Sequence, residues 1–170
     1  METITFDKLL LKTAFCCMAS DGNIDNREVE LIKKMCHNSN LFQNFDFEKE
    51  INILLSKINE RGKEFIQYYF DLLKNASLNH QEELTLIDFA IKTINADDIV
   101  EYSEIKFFKS IRKCLKILDD DILAVYPDIE FYLEEDINTD SNLDNLVNNY
   151  LNSVELPQFD NIKFDNLKNE

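Results

Sequence analysis

Apolar residues recur every three or four positions along most of the chain, which is the spacing of one face of an α-helix. The first such stretch covers about residues 5–20, and the second begins after Asp25. Further stretches follow Asp46, Gly62 and Asn79. No segment alternates apolar and polar residues as a half-buried strand would. The pattern therefore predicts an all-α protein, a compact bundle of about six to eight helices.

Residues that start and stop helices support these boundaries. Asp46 is a good N-cap, Asn79 and Glu82 have the spacing of a capping box, and Gly62 separates two helices. A sixth helix is expected to end near the acidic run at residues 119–121. The chain has only 2 glycines and 2 prolines in 170 residues, whereas hairpins and phosphate-binding loops depend on glycine.

The helical pattern weakens in the last third of the chain. We predict a helical domain over residues 1–118 and an acidic C-terminal extension over residues 119–170. Pro127 interrupts the apolar pattern of the extension, and a weaker helix covers about residues 143–151. The final segment resembles a loosely held tail, but it contains apolar residues that could dock onto the bundle. These residues are Phe159, Ile162, Phe164 and Leu167.

The charge balance narrows the partners that the chain can bind. It has 18 basic and 33 acidic side chains, a formal net charge of −15 and a pI near 4.5. Nucleic acids and anionic membranes would repel such a chain, so we expect neither as a partner. The sequence predicts no signal peptide and no membrane insertion, and its 4 cysteines form no CxxC pair. We therefore expect a reduced, cytoplasmic protein that binds cations or protein partners.

A weak internal repeat relates residues about 5–40 to residues 81–118. Each half begins with an apolar helix, which is followed by an acidic turn and an aliphatic residue. An acidic residue comes next, and three positions after it a glutamate opens the following helix. The turns occupy residues 20–28 and 96–104. Repeated units often pack about a pseudo-twofold axis, which could bring both acidic turns to the same end of the bundle.

One interpretation of the acidic turns is helix capping. Gly22 would adopt a positive φ, Asp25 would cap the second helix, and Glu28 would complete a capping box. Glu101 and Glu104 form a weaker copy, since glutamate is a poorer N-cap than aspartate.

The other interpretation is a divalent cation site. Calcium, magnesium and manganese favour oxygen ligands, and the two turns together supply six carboxylates. The positive ends of the helices would weaken such a site, and both roles could hold together. The six candidate ligands are Asp21, Asp25, Glu28, Asp97, Glu101 and Glu104.

The paired turns resemble those of the TerB-like family, the all-helical domains of tellurite-resistance loci and of some DnaJ-type co-chaperones. The family pattern is A-D-G-x-I-x-x-x-E. Residues 20–28 follow it except at Ser20, and residues 96–104 follow it except at Asp98 and at Val100, which is aliphatic like the Ile of the pattern. The resemblance extends over about residues 5–118. It implies an all-α bundle, a cytoplasmic stress-associated role and an acidic metal-binding surface. It implies no enzymatic activity.

No other residues form a recognisable catalytic arrangement. His37 and His80 lack neighbours at zinc-ligand spacing, and the cysteines are expected to be small buried hydrophobic residues. We therefore predict a non-catalytic, TerB-like domain whose acidic end binds a divalent cation, a protein partner or both. The alternative is a pure interaction module in which the acids are only helix caps. Its partner would contact the C-terminal extension or the aromatic patch at Phe65, Tyr68, Tyr69 and Phe70.

Overall fold

The computed structural model describes residues 4–38, 46–96, 100–133, 143–160 and 162. These residues form α-helices and a short 3-10 turn, Pro127–Ile129, with no strand among them, so the all-α prediction is confirmed. The helices are α1 (Phe6–Ala19), α2 (Asn26–Asn38), α3 (Phe47–Arg61), α4 (Lys63–Asn75), α5 (His80–Ile94), α6 (Tyr102–Cys114), α7 (Asp119–Val125), α8 (Glu130–Leu133) and α9 (Leu143–Ser153).

Helix α1 lies at the centre of the bundle. Every residue from Leu9 to Ala19 is buried, which is typical of a helix surrounded by other helices. It packs along α5 and also contacts α2, α3, α4 and α6. The first helix of each half of the repeat therefore pairs with the other in the core.

The predicted cap residues hold the helix boundaries. The Asp46 carboxylate accepts a hydrogen bond from the Lys49 N–H at 3.1 Å. Asn79 and Glu82 form the predicted capping box, with reciprocal hydrogen bonds of 2.8 and 3.1 Å. Gly62 separates α3 from α4 with φ +59°, in the region that favours glycine.

The prediction that α6 ends near residues 119–121 is wrong. Helix α6 ends at Cys114, and the three aspartates form the first turn of α7, where negative charge favours the positive end of the helix dipole. The loop between the helices is held by Glu83 of α5. Its buried carboxylate accepts the N–H groups of Lys116 at 3.1 Å and Ile117 at 2.8 Å.

Helix α9 packs against α6 and contributes to the hydrophobic core. Tyr150 is fully buried, and its hydroxyl donates a 2.8 Å hydrogen bond to the carbonyl of Ser20, at the end of α1. The same core therefore contains residues from both sides of residue 118. Within the described ranges, no helix has the length and apolar character needed to cross a membrane.

Residues 155–160, here called the C-terminal strap, continue from α9 without helical structure. The side chain of Asn59 holds the strap by exchanging two hydrogen bonds, of 2.8 and 3.0 Å, with the backbone of Phe159. Phe159 and Ile162 pack against the core, whereas Phe164 and Leu167 lie outside the described residues.

Candidate functional site

The first acidic turn leaves α1 at Ser20 and reverses the chain at Gly22. Gly22 has φ +82°, as predicted, and its N–H donates to the Ala19 carbonyl at 3.0 Å. The Asp21 carboxylate accepts the Asn23 N–H at 2.9 Å. Ile24 then packs against the core, so the turn directs the chain back into the bundle.

Asp25 and Glu28 cap helix α2. The Asp25 carboxylate accepts the Arg27 N–H at 2.7 Å, and the Glu28 carboxylate accepts the Asp25 N–H at 3.0 Å. The Arg27 guanidinium also hydrogen-bonds to Asp25, which lowers the pKa of that carboxyl group. Glu28 is only 1% exposed. Asp25 therefore caps α2 as predicted, through the Arg27 N–H, and Glu28 supplies the reciprocal hydrogen bond of the predicted capping box.

The second acidic turn repeats this arrangement in its described part. The Glu104 carboxylate accepts the Glu101 N–H at 2.9 Å and is fully buried, while Glu101 is exposed. Val100 packs against the core, as its counterpart Ile24 does. Asp97 and Asp98 lie outside the described residues.

The described parts of the two turns lie close to the same buried groups at the C-terminal end of α1. Burial raises the pKa of the Cys17 thiol, and the charges of Glu104 and Glu28 raise it further. Burial likewise raises the pKa of the Tyr150 hydroxyl, with Asp21 and Glu104 among the contributing charges. Carboxylates from both halves of the repeat therefore act on the same buried groups near the C-terminal end of α1.

The described part of the two turns does not form a ready metal centre. No three His, Cys, Asp or Glu residues in the described ranges are placed to hold a metal ion together. Glu28 and Glu104 are buried and each accepts a backbone N–H, and Asp25 pairs with Arg27. Because Asp97 is outside the described residues, the six-ligand site stays a prediction.

Three of the four cysteines are buried, as the sequence predicts. Cys16, Cys17 and Cys36 are buried, and Cys114 is half-buried. Burial raises the pKa of Cys36 and of Cys114 to about 12, so these thiols are protonated at neutral pH. His37 lies in the last turn of α2, and His80 is the first residue of α5; both are exposed.

Helix α1 contains a buried lysine that the apolar pattern did not predict. Lys12 is 7% exposed, and its ammonium group lies 5.1 Å from the ring centroid of Tyr68 and 5.7 Å from that of Phe65. The available signal was a single cation in the apolar run of the central helix. Tyr68 is half-buried beside it, so part of the aromatic patch faces a surface cavity.

No family model matches this chain, and no curated protein or solved structure matches it either. The described residues form a helical bundle in which Glu28 and Glu104, one from each acidic turn, lie buried near the C-terminal end of the central helix.

Proposed function

We propose that this protein is a non-catalytic, TerB-like binding module whose acidic end receives a basic segment of a partner protein. The acidic end consists of the partly or fully exposed carboxylates of the two turns, Asp21, Asp25 and Glu101. A stress-associated, cytoplasmic role belongs to the same proposal and rests on the resemblance of the turns to the TerB-like pattern.

The convergence of the two turns near the end of α1 carries this proposal. Glu28 and Glu104 are buried as caps, which leaves the more exposed acids of the turns as the surface that an incoming molecule meets. The chain as a whole has a net charge of −15, so its field attracts cationic partners. Such complementarity accelerates encounter and selects basic surfaces.

Binding to a lysine-rich peptide, measured by fluorescence anisotropy, tests this proposal. The variant Asp21→Asn/Asp25→Asn/Glu101→Gln removes three charges, and the cap of α2 is retained because asparagine is as good an N-cap as aspartate. We expect the dissociation constant to rise about tenfold or more, because these charges face the peptide.

A matched control separates the acidic end from the general negative charge. Glu60→Gln/Glu64→Gln/Asp120→Asn also removes three charges, from exposed positions on α3, α4 and α7. The control should bind the peptide nearly as well as the unmodified protein. Equal weakening in the two triple variants would contradict a localised binding surface.

A divalent cation is the second candidate ligand of the acidic end. It is favoured by the mutual repulsion expected among Asp21, Glu28 and Glu104, which act on the same buried groups from both halves of the repeat. A bound cation would relieve this repulsion and fix the two halves together.

Calorimetric titration of chelator-stripped protein with calcium, and then with manganese, tests the cation. The variant Asp21→Asn/Asp97→Asn removes one predicted ligand from each turn. Saturable heat that disappears in this variant would support a metal site between the turns. Absence of heat in the unmodified protein would contradict it and leave the peptide experiment to decide the function.

A further inference from the structure

Two adjoining cavities open near the N-terminal half of α1, whereas the first acidic turn follows its C-terminal end. The first, of about 290 Å³, lies between α1, α3 and α4. The second, of about 550 Å³, lies beside α1, α4 and the start of α5. Ile4 and Leu72 line both cavities, so the two hollows share a boundary.

The first cavity is basic, although the protein is strongly acidic. Among the described residues, its lining includes Lys8, Lys12 and Lys57 and one acidic residue, Glu50. Lys12 is almost completely buried, and its ammonium group is positioned by the rings of Phe65 and Tyr68. Leu11, Leu54 and Leu72 line the same cavity beside these charges, and a low-dielectric wall strengthens the attraction of an anion.

The second cavity has an apolar lining that includes Phe6, Leu9, Tyr68 and Leu78. Its two acidic residues already have partners within the fold. Asp71 pairs with Lys74 at 3.9 Å, and the Glu82 carboxylate accepts the Asn79 N–H at 3.1 Å. Tyr68 lines this cavity and also contacts Lys12, so the aromatic ring connects the apolar hollow to the basic one.

We propose that the two cavities form one binding site for an anionic amphiphile, a carboxylate attached to an alkyl chain. The carboxylate of the ligand would lie among Lys8, Lys12 and Lys57. Its alkyl chain would pass Leu72 and pack against Phe6 and Tyr68. Volumes of this order are typical of small-molecule sites, which combine apolar walls with a few placed charges. The site is independent of the acidic end and of any partner that binds there.

Calorimetry with decanoate below its micelle concentration tests the site. We expect saturable binding of one decanoate per protein molecule. Decanol, which lacks the charge, and acetate, which lacks the chain, should each bind at least about tenfold more weakly. Decanol binding as tightly as decanoate would overturn the role of the lysines, and acetate doing so would overturn that of the apolar cavity.

Lysine variants locate the binding site. Lys8→Gln/Lys57→Gln changes two exposed side chains and should weaken decanoate binding about tenfold while the circular dichroism spectrum stays unchanged. Lys113→Gln/Lys116→Gln removes the same charge from exposed positions outside the cavity and should leave binding unchanged. Equal weakening in both pairs, or no saturable binding to the unmodified protein, would overturn the proposal.

Lys12→Met provides a third variant, because methionine retains an unbranched apolar stem without the charge. Decanoate binding should weaken by at least as much as in the exposed pair. If this buried substitution prevents folding, the Lys8→Gln/Lys57→Gln variant still decides the outcome.

Discussion

Asp25 both caps a helix and contributes a charge to the acidic end, and Arg27 links these two roles. The hydrogen bond from the Arg27 guanidinium is the main cause of the lowered pKa of Asp25, whose ordinary value is 3.8. A carboxyl group with a lowered pKa stabilises the fold above its unfolded-state pKa. That stabilisation is lost as the pH falls through the folded-state value.

We therefore expect Arg27→Gln to raise the pKa of Asp25 toward 3.8. The variant should also reduce the stability that the fold loses when Asp25 is protonated at low pH. Carboxyl NMR titration of the two proteins measures this change. Lys34→Gln, which removes a cation from the same helix that pairs with Glu30, should leave the Asp25 titration unchanged. An unchanged pKa in the Arg27 variant would contradict the assigned cause.

Gly22 brings the first acidic turn and the C-terminal strap into close contact. A Cβ atom at this position would lie 2.8 Å from the Glu155 carbonyl oxygen, and φ is +82°. We expect Gly22→Ala to lower the free energy of unfolding by more than about 1 kcal/mol, as measured by urea denaturation. It should also accelerate hydrogen exchange of the Phe159 amide, because the strap must move.

Gly62→Ala is the control that introduces backbone strain at a positive φ without a contact to the C-terminal strap. Gly62 also has a positive φ, but nothing lies within 4 Å of its added Cβ. This variant should lose stability through backbone strain. Hydrogen exchange of the Phe159 amide should become no faster than the lower global stability explains. Equal local acceleration in both variants would show that Gly22 does not position the strap.

At the scale of elements, the connection from α6 to α7 depends on a side chain of α5. Glu83 accepts two backbone N–H groups in the loop after α6. Glu83→Ala would remove both hydrogen bonds, and we expect a loss of about 2–3 kcal/mol in the free energy of unfolding. Urea denaturation measures this loss.

The control for Glu83 is Glu60→Ala, which removes an exposed glutamate from α3. It should change the free energy of unfolding by no more than about 0.5 kcal/mol, because most surface substitutions are nearly neutral. Similar small effects for both glutamates would contradict the role of Glu83 in holding the loop.

Over the whole molecule, repulsion among acidic side chains opposes the compact state. The net charge is −15, while ion pairs such as Lys92–Asp88 are at the surface, where each contributes little. We expect added sodium chloride to raise the Tm, because salt screens this repulsion. The rise should be about 2–4 °C if the screening adds about 1 kcal/mol to the free energy of unfolding. Differential scanning calorimetry tests this.

A variant with fewer negative charges should respond less to salt. Glu60→Lys/Glu64→Lys reverses two exposed charges, so its Tm should rise by a smaller amount in the same salt series. A Tm that falls with added salt would indicate instead that attractive ion pairs dominate the electrostatics of the fold.

Much of the local structure was predictable because it depends on short-range chemistry. Asp46, Gly62 and Asn79 are placed as expected, since caps and turns are set by residues a few positions apart. The repeat also indicated that the two turns could come together, and Glu28 and Glu104 do act on the same buried thiol. The end of α6 was predicted incorrectly because it depends on Glu83, which is distant in sequence.

The sequence by itself determined the all-α class, most helix boundaries and the capping of the first acidic turn, because periodicity and cap spacing are local properties. Only the tertiary structure decided that Glu28 and Glu104 are buried, that Tyr150 bonds to Ser20, and that three lysines line one cavity. These features join residues far apart in the chain, and burial and convergence exist only once the helices have packed.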